Sequence, residues 1–242
     1  MASFEHRDTM KTRIWLLALL LPGVLPGHAL AQAARAAAQD PLDFIPEGYV
    51  LFEKIEGDLN RDGQADTVLI IKGTDPGKRL VDEYRGALDR NRRGLIIAFK
   101  QGDHYALALE NLACFSSEQE DGGVYFAPEL WLSIDKGILH IHYGHGRYGD
   151  WSYKFRYQDA GFTLIGYDDS DNRGPLIERM TSINFSTRKV LIRENINRDA
   201  QGNGDEVFRE TWQGFTLPAP LRLDAIADFD GFYHDKLYPL IQ

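Results

Sequence analysis

From Tyr49 to the C-terminus the chain is a succession of short apolar or alternating runs, which Gly, Asp and Asn interrupt at close spacing. Alternation puts successive side chains on opposite faces, which is the pattern of a strand with one face buried. Strands so closely spaced favour antiparallel hairpins, because a parallel pair needs a long crossover, usually a helix. The sequence predicts strands at residues 49–56, 67–72, 95–99, 105–110, 130–134, 138–143, 151–157, 162–167, 182–185, 190–194 and 207–212.

Three of the connections have the composition of hairpin turns. Residues 101–103, 135–137 and 159–161 each combine Asp with Gly. Glycine takes left-handed conformations at little cost, and Asp tolerates them better than most residues. These turns favour antiparallel neighbours along the chain.

Helix is scarce in this sequence. Leu80, Tyr84 and Leu88 recur at four-residue spacing within residues 79–92, which predicts a short amphipathic helix or helical loop. Residues 223–232 are a second candidate, which would dock at the C-terminus. We therefore predict an all-β domain, an antiparallel β-sandwich or curled meander of about eleven short strands with one or two short helices.

The N-terminus has the layout of a secretory signal peptide. A basic lead precedes an apolar run at residues 14–21, and small residues precede a cleavage site after Ala31. The run is short for a membrane span, so an uncleaved anchor is the lesser alternative. The residue directly after the cleavage site is Gln32 rather than a cysteine that could take a lipid, so a lipoprotein is not expected. The predicted organisation is a signal peptide at residues 1–31, a leader segment at 32–48 and a single β-rich domain at 49–242, in a periplasmic or secreted protein.

The charge balance narrows the possible partners. With 27 Lys and Arg against 36 Asp and Glu, the formal net charge is -9. An acidic chain of this kind argues against nucleic acid and anionic membrane surfaces, and we expect no membrane insertion after signal cleavage. The single cysteine, Cys114, excludes an intramolecular disulfide, and its apolar context predicts a buried, inert thiol.

The strongest chemical signal is an alternation of oxygen-bearing side chains between two predicted strands. Asp58, Asn60 and Asp62 occupy every second position, and Gly63 follows where a sharp turn is needed. Calcium takes about six to eight oxygen ligands in flexible geometry, so a curled loop can aim these side chains at one ion. An EF-hand has a bidentate Glu at the twelfth position, which is Leu69 here, so the loop is not an EF-hand. The predicted calcium ligands are Asp58, Asn60, Asp62, the backbone carbonyl of Gln64, and Asp66.

The run from Asp58 to Asp66 has the pattern D-x-N-x-D-G-x-x-D between two strands. In this it resembles the calcium loops of FG-GAP and VCBS repeats, the kind found in integrin α-chain propellers. The resemblance implies the same set of ligands for this loop. One clear copy is present, so a full propeller is not predicted, and the chain as a whole resembles an exported protein of bacterial type. The alternative for the loop is a hydrated, ion-free turn rich in Asp and Asn.

A weaker version of the pattern occurs near the C-terminus. Asn195, Asn197 and Asp199 alternate in the same way, but Ala200 stands where the turn glycine should be. We predict a polar, Gly-rich hairpin loop at this position.

Histidines form a second unusual cluster. His140 and His142 share one face of a predicted strand, and His145 follows just past its end. Three imidazoles beside an acid such as Asp150 or Glu129 would suit a catalytic zinc ion, which keeps one coordination position open. The alternative is a polar strand face that happens to use histidine.

The same stretch continues into a glycine-rich loop that carries Arg147, Tyr148 and Trp151. These residue types are common in binding hot spots. Together with the three histidines they form a candidate second metal site or contact surface. The aromatic side chains at every second position from Trp151 to Tyr157 share one strand face, and we predict that they belong to the core.

We expect an exported, non-catalytic interaction module that binds calcium as a structural ion and has a protein or glycan partner. The sequence has no nucleophile elbow, zincin helix, phosphate-binding loop or dinucleotide fingerprint. One alternative is a zinc-dependent hydrolase of cell-envelope polymers, with zinc bound by His140, His142 and His145. Another is an immunity or inhibitor protein that blocks a toxic enzyme.

Overall fold

The computed structural model describes residues 36–119 and 128–241, so the predicted signal peptide lies outside the described residues. The fold is all-β, as predicted, and each of the predicted strands is present. The strands are β1 (Ala37–Ala38), β2 (Tyr49–Gly57), β3 (Asp66–Gly73), β4 (Arg79–Asp82), β5 (Gly86–Asp89), β6 (Arg93–Gln101), β7 (His104–Phe115), β8 (Glu129–Asp135), β9 (Ile138–Gly144), β10 (Gly149–Gln158), β11 (Gly161–Arg173), β12 (Leu176–Asn184), β13 (Lys189–Asn195) and β14 (Phe208–Gly214).

The strands form two main sheets in which every pairing is antiparallel. A five-stranded sheet has the order β1-β7-β6-β3-β2, and a seven-stranded sheet has the order β14-β13-β12-β11-β10-β9-β8. The second sheet follows chain order throughout, so it is a meander of successive hairpins. At its turns, Lys136 and Gly137 have φ values of 49° and 73°, and Asp159 and Ala160 have values of 51° and 56°. The predicted hairpin positions thus use left-handed residues.

The two sheets face each other across one apolar core, which makes the fold a sandwich. Side chains of both sheets belong to the same buried cluster. Phe99 of β6 packs edge-on against Tyr157 of β10, with ring centroids 4.7 Å apart. Tyr153 and Phe155 of β10 are fully buried. The prediction that the aromatic face of β10 belongs to the core is therefore confirmed.

A second, smaller core covers the other face of the five-stranded sheet. Pro41–Phe44 form a 3₁₀ turn that begins at Asp40, whose side chain accepts a hydrogen bond from the N–H of Leu42 at 2.9 Å. Phe44 is buried in this core. Its neighbours there are Leu69, Ile71, Ile96 and Ala98. This part of the predicted leader segment is therefore packed into the domain, which begins before Tyr49.

The predicted helix at residues 79–92 is wrong, because the segment forms the hairpin β4–β5. Leu80 lies directly opposite Leu88 in that hairpin. The spacing that suggested one face of a helix is thus a cross-strand pair. At the turn, Asp82 Oδ1 accepts hydrogen bonds from the N–H groups two and three residues later, both at 2.9 Å. Such local bonds from Asp stabilise a turn in competition with a helix.

The C-terminal segment is helical, as predicted, and packs into the main core. It contains a 3₁₀ turn (Leu223–Ala225), the short helix α1 (Phe229–Phe232), a π-helical turn (Tyr233–Leu237) and a final 3₁₀ turn (Tyr238–Leu240). Asn111 of β7 donates hydrogen bonds from its amide nitrogen to the carbonyls of Leu223 and Ile226, at 3.2 and 2.8 Å. These bonds fix the start of the segment on the five-stranded sheet.

The packed leader gives a direct test of the domain boundary. Phe44→Ala removes a buried ring and should lower the free energy of unfolding by about 3–5 kcal/mol, the usual cost of such a truncation. Leu42→Ala, in the same 3₁₀ turn at 40% exposure, is the matched control and should change it by less than about 1 kcal/mol. Urea unfolding of both variants measures the difference. Equal, small effects would show that the leader does not contribute to stability.

Candidate metal centre

The predicted calcium loop joins β2 to β3 and is organised by its own side chains. Asp58 accepts hydrogen bonds on both carboxylate oxygens, from the N–H groups of Asp62 at 3.1 Å and Gly63 at 3.0 Å. Asn60 Oδ1 accepts from the same Asp62 N–H at 3.0 Å. The Asp62 carboxylate accepts from the N–H of Gln64 at 2.8 Å. The structure therefore brings Asp58, Asn60 and Asp62 together inside one turn.

Two residues with left-handed backbone make this turn possible. Arg61 has φ 64° and Gly63 has φ 86°. A non-glycine residue in this region costs about 1–2 kcal/mol. Arg61 is held there by contacts with the β8–β9 turn, since its Nη2 donates a hydrogen bond to the carbonyl of Lys136 at 2.9 Å. The side chain also lies so close to Gly137 that a Cβ there would be 2.6 Å from Nε.

Asp66, predicted as a calcium ligand, is a buried acceptor for three backbone N–H groups. Its Oδ2 accepts from Leu59 at 2.8 Å and from Asn60 at 3.3 Å, and its Oδ1 accepts from Lys100 at 2.9 Å. Burial raises the pKa of the Asp66 carboxyl, and the three N–H groups oppose that shift. A carboxylate has about four acceptor positions, so most of this one is already used. Asp66 as a ligand remains a prediction.

The side chain of Gln64 has a role that the sequence did not reveal. Its Oε1 accepts a hydrogen bond from the N–H of Gly102, at the tip of the β6–β7 hairpin, at 2.9 Å. The predicted ligand at this position is the backbone carbonyl, which the side-chain bond leaves available. Leu59, between the first two predicted ligands, is 1% exposed and belongs to the main core. The loop is thus a junction where the β2–β3, β6–β7 and β8–β9 turns meet.

The C-terminal version of the pattern folds differently. Asn195 Oδ1 accepts from the N–H of Asn197 at 3.0 Å, and Asn197 Oδ1 accepts from that of Asp199 at 3.1 Å. The fifth residue of the pattern does not donate to the first, as Asp62 does to Asp58. Instead, the Asn197 amide nitrogen donates to the carbonyl of Asp205 at 2.8 Å. The Asp205 carboxylate also accepts from the N–H groups of Gln201 and Gly202, each at 3.1 Å. The loop is thus closed by its own polar groups, which agrees with its interpretation as a polar connection.

The histidines do not form one cluster. His140 and His142 alternate with the buried residues of β9, so they lie on the outer face of the seven-stranded sheet. His142 stacks against Trp131, with ring centroids 3.8 Å apart, and burial lowers the pKa of both histidines. His145 lies beyond the strand, beside Tyr148 at a centroid distance of 5.2 Å. The zinc alternative stays a prediction to which this arrangement adds no support.

The predicted contact loop divides between two surfaces. Arg147 and Tyr148 pair with each other through a hydrogen bond of 2.9 Å and a ring contact of 5.2 Å. Trp151 lies on the inner face of the sheet, because it stacks at 5.3 Å on the buried Tyr143. Tyr148 and Trp151 line a cavity that is open to solvent, whereas His140 and His142 lie on the outer face of the sheet.

Most of the residues around that cavity were missed at the sequence level. The cavity has a volume of about 550 Å³. Its lining includes Tyr167, Asp169, Asp171, Arg179 and Asp230. The predicted strand stops at residue 167, whereas β11 continues to Arg173. Aspartates are depleted in strands and residues 168–173 are all polar, so the sequence gives no strand signal at this end of β11.

Cys114 is buried, as its apolar context predicts. Burial raises the pKa of its thiol to about 12. A thiol in this environment is not a nucleophile at neutral pH.

The buried carboxylate of Asp66 gives a test of the junction. Asp66→Ala would leave the N–H groups of Leu59, Asn60 and Lys100 without their acceptor. Each buried unpartnered group costs about 1–3 kcal/mol, so the free energy of unfolding should fall by at least about 3 kcal/mol, even with chelator present. Asp103→Ala, in the adjacent hairpin and with a side chain 93% exposed, is the control and should have little effect. A small loss for both variants would contradict the structural role of Asp66.

Within residues 36–119 and 128–241, no three His, Cys, Asp or Glu side chains are grouped as metal-ion ligands, in keeping with Asp66 being turned to the backbone. Over the same ranges, no helix is long and apolar enough to cross a membrane.

Comparison with known proteins finds no match: no family model, no curated protein and no solved structure is significantly similar to this chain. What the protein does must therefore be argued from its own residues and their geometry.

Proposed function

We propose that the chain is an exported β-sandwich interaction module in which the Asp58–Asp66 loop binds calcium as a structural ion. The observation that carries this proposal is the convergence of side-chain oxygens in the loop. Asp58 Oδ1 and Asn60 Oδ1 lie 3.1 and 3.0 Å from one atom, the nitrogen of Asp62. Oxygens gathered so closely, with a second carboxylate beside them on Asp62, form the donor set that a hard cation such as calcium prefers.

The charges of the loop support the same conclusion. Asp58 and Asp62 carry like charges within one tight turn, and such charges repel each other in the absence of a cation. The N–H groups that Asp58 and Asp62 already accept occupy only part of their acceptor capacity, since an ionised carboxylate has about four acceptor positions. Lone pairs therefore remain for an ion. Binding would add to the turn's stability without breaking its hydrogen bonds.

The position of the loop explains why calcium would be structural rather than catalytic. Arg61 anchors the loop to the β8–β9 turn and Gln64 anchors it to the β6–β7 hairpin. An ion that rigidifies the loop would therefore stabilise the contact between the two sheets. Sites of this kind in extracellular modules have dissociation constants of about 0.1–1 mM, which calcium outside the cytoplasm can saturate. The predicted signal peptide is consistent with that environment.

Calcium titration of the purified protein tests this directly. A ligand at about one hundred times its dissociation constant stabilises the folded state by about 2.7 kcal/mol. For a domain of this size that amount should raise the melting temperature by about 5–10 °C over the value in chelator. Differential scanning calorimetry measures the shift, and isothermal titration gives the stoichiometry, which should be one. An identical melting temperature in calcium and in chelator would reject the proposal.

Isosteric variants separate ion binding from the fold of the loop. Asp62→Asn removes a charge but keeps an acceptor oxygen for the N–H of Gln64, so the melting temperature in chelator should change little. Asp58→Asn also removes a charge but keeps only one of the two acceptor oxygens that serve Asp62 and Gly63, so it should lower the melting temperature in chelator modestly. Calcium affinity should fall at least about tenfold in each, because a carboxylate ligand is lost. Asp199→Asn makes the same change in the C-terminal loop and should leave calcium affinity unchanged. If Asp199→Asn weakened calcium binding as much as the other two, the ion would be assigned to the wrong loop.

A further inference from the structure

A second candidate site lies at the far end of β9 from the calcium loop. There the inner face of the seven-stranded sheet continues beyond its aromatic core. Residues that pair across β10, β11 and β12 form rows on this face, and successive rows change from apolar to polar. The rows are Tyr153–Tyr167–Ile183, then Trp151–Asp169–Thr181, and then Gly149–Asp171–Arg179. The C-terminal segment supplies the facing wall through Phe229, Asp230, Tyr233 and His234. The space between them is the cavity of about 550 Å³, within the range of about 300–1,000 Å³ that is usual for ligand pockets.

The charges of this cavity are predominantly negative. Four aspartates line it, at positions 150, 169, 171 and 230. Against them stand one arginine, Arg179, and one histidine, His234. Arg179 lies directly across the strands from Asp171. Burial raises the pKa of the Asp169 carboxyl, and Arg179 opposes that shift. It therefore offsets part of the charge, and the lining as a whole attracts cations.

The floor of the cavity contains a buried hydroxyl group without a partner. Tyr153 is 0% exposed, and among the described residues its hydroxyl oxygen has no hydrogen-bond partner. Tyr153 is itself a lining residue of the cavity, together with Asp169 and Asp230. Leaving such a group unpaired costs about 1–3 kcal/mol. A ligand that donates an N–H to the oxygen would remove that cost.

Aromatic rings form the remaining walls, and packing holds them in place. Trp151 stacks on Tyr143 with an interplanar angle of 12°, and Tyr233 stacks on Tyr167 with an angle of 26°. Trp151 and Tyr233 are only partly buried, so both still contribute surface to the cavity. The face of an aromatic ring attracts a cation by about 0.5–2 kcal/mol. Rings fixed by packing lose little entropy when a ligand binds.

We propose that this cavity binds a basic side chain, a Lys ammonium or an Arg guanidinium, presented by a partner protein. The inference rests on the proposed function, because it names the partner chemistry of the same interaction module. Charged N–H donors would bind the aspartates and the Tyr153 hydroxyl, while the alkyl stem would pack on the aromatic rings. The Nε of Arg179 is also buried, and it has no hydrogen-bond partner within the part of the chain that the structure describes. A peptide carbonyl beside the basic side chain would supply its acceptor.

Small model compounds provide the probe. Nα-acetyl-L-arginine amide and Nα-acetyl-L-lysine amide carry the two side chains together with peptide carbonyls. Nα-acetyl-L-citrulline amide is the neutral counterpart of the first, with nearly the same shape. The readout is the indole N–H signal of Trp151 in two-dimensional ¹H–¹⁵N spectra of the purified protein, assigned through Trp151→Phe. Saturable shifts are expected with both cations, with an affinity at least about tenfold weaker for the citrulline compound, because its side chain lacks the charge.

Paired variants locate the binding site on the sheet. Asp169→Asn removes a carboxylate of the cavity but keeps an acceptor for the N–H of Thr181, now at 3.1 Å, so the fold should be retained. Affinity for the arginine compound should fall at least about tenfold, and Tyr153→Phe should weaken it about threefold or more. Asp168→Asn is the matched control, because Asp168 faces the other side of β11, where Lys154 and Ser182 pair with it. It should leave affinity unchanged.

Three outcomes would overturn the proposal. The first is no shift of the Trp151 signal with either cation at tens of millimolar. The second is equal affinity for the citrulline compound, which would indicate a neutral polar ligand such as a sugar. The third is equal loss in Asp168→Asn and Asp169→Asn.

The same spectra keep this inference distinct from the calcium proposal. The amide signal of Gly63 should respond to calcium, and that of Trp151 should respond to the arginine compound with chelator present. If calcium leaves the Gly63 signal unchanged while the arginine compound shifts the Trp151 signal, only the calcium proposal is rejected. If calcium shifts the Gly63 signal while the arginine compound leaves the Trp151 signal unchanged, only the basic-side-chain site is rejected.

Discussion

The buried carboxylate of Asp66 is the interaction on which the arrangement of this sandwich depends. It accepts hydrogen bonds from the start of its own loop and from the end of β6, so it fixes where the β2–β3 loop lies on the sheet. A buried charge is costly unless hydrogen bonds compensate it, and three N–H groups do so here. Because this acceptor sets the base of the loop, Asp58, Asn60 and Asp62 are free to curl above it. The candidate ion site is thus built on a junction that is fixed independently of the ion.

The two candidate sites lie near opposite ends of β9, and their residues are brought together in different ways. In the loop, local hydrogen bonds gather oxygen donors within a few residues of sequence. In the cavity, strand pairing gathers aspartates and aromatic rings from β10, β11 and the C-terminal segment. The first site would stabilise the contact between the sheets, and the second would recognise a partner. Together they describe a rigid module that presents one acidic, aromatic pocket.

Much of the fold could be predicted from the periodicity of the sequence, and the errors of that prediction have physical causes. Alternation and turn residues located the strands of both sheets, since a strand buried on one face must alternate. The segment that contains Leu80 and Leu88 was predicted as a helix because a spacing of eight residues fits two structures. Such residues share one face of a helix, and they can also lie opposite each other in a hairpin, as they do here. A helix in this segment would have to break the turn that the Asp82 side chain stabilises. The packing of Phe44 was missed because the few large apolar residues of the leader, Leu42, Phe44 and Ile45, form a stretch too short to show a period.

The sequence by itself determined the strand order of the meander, the left-handed turn positions and the oxygen donors of the loop, because these depend on neighbours within about ten residues. The tertiary structure alone decided the use of Asp66 as a backbone acceptor, the place of the leader and the lining of the cavity. Each of those depends on which strands lie side by side. Asp169 lies in an all-polar stretch of the sequence, and only its neighbours Trp151 and Thr181 in the sheet place it in the cavity. Pairing between distant segments brings such groups together, and a linear pattern does not encode it.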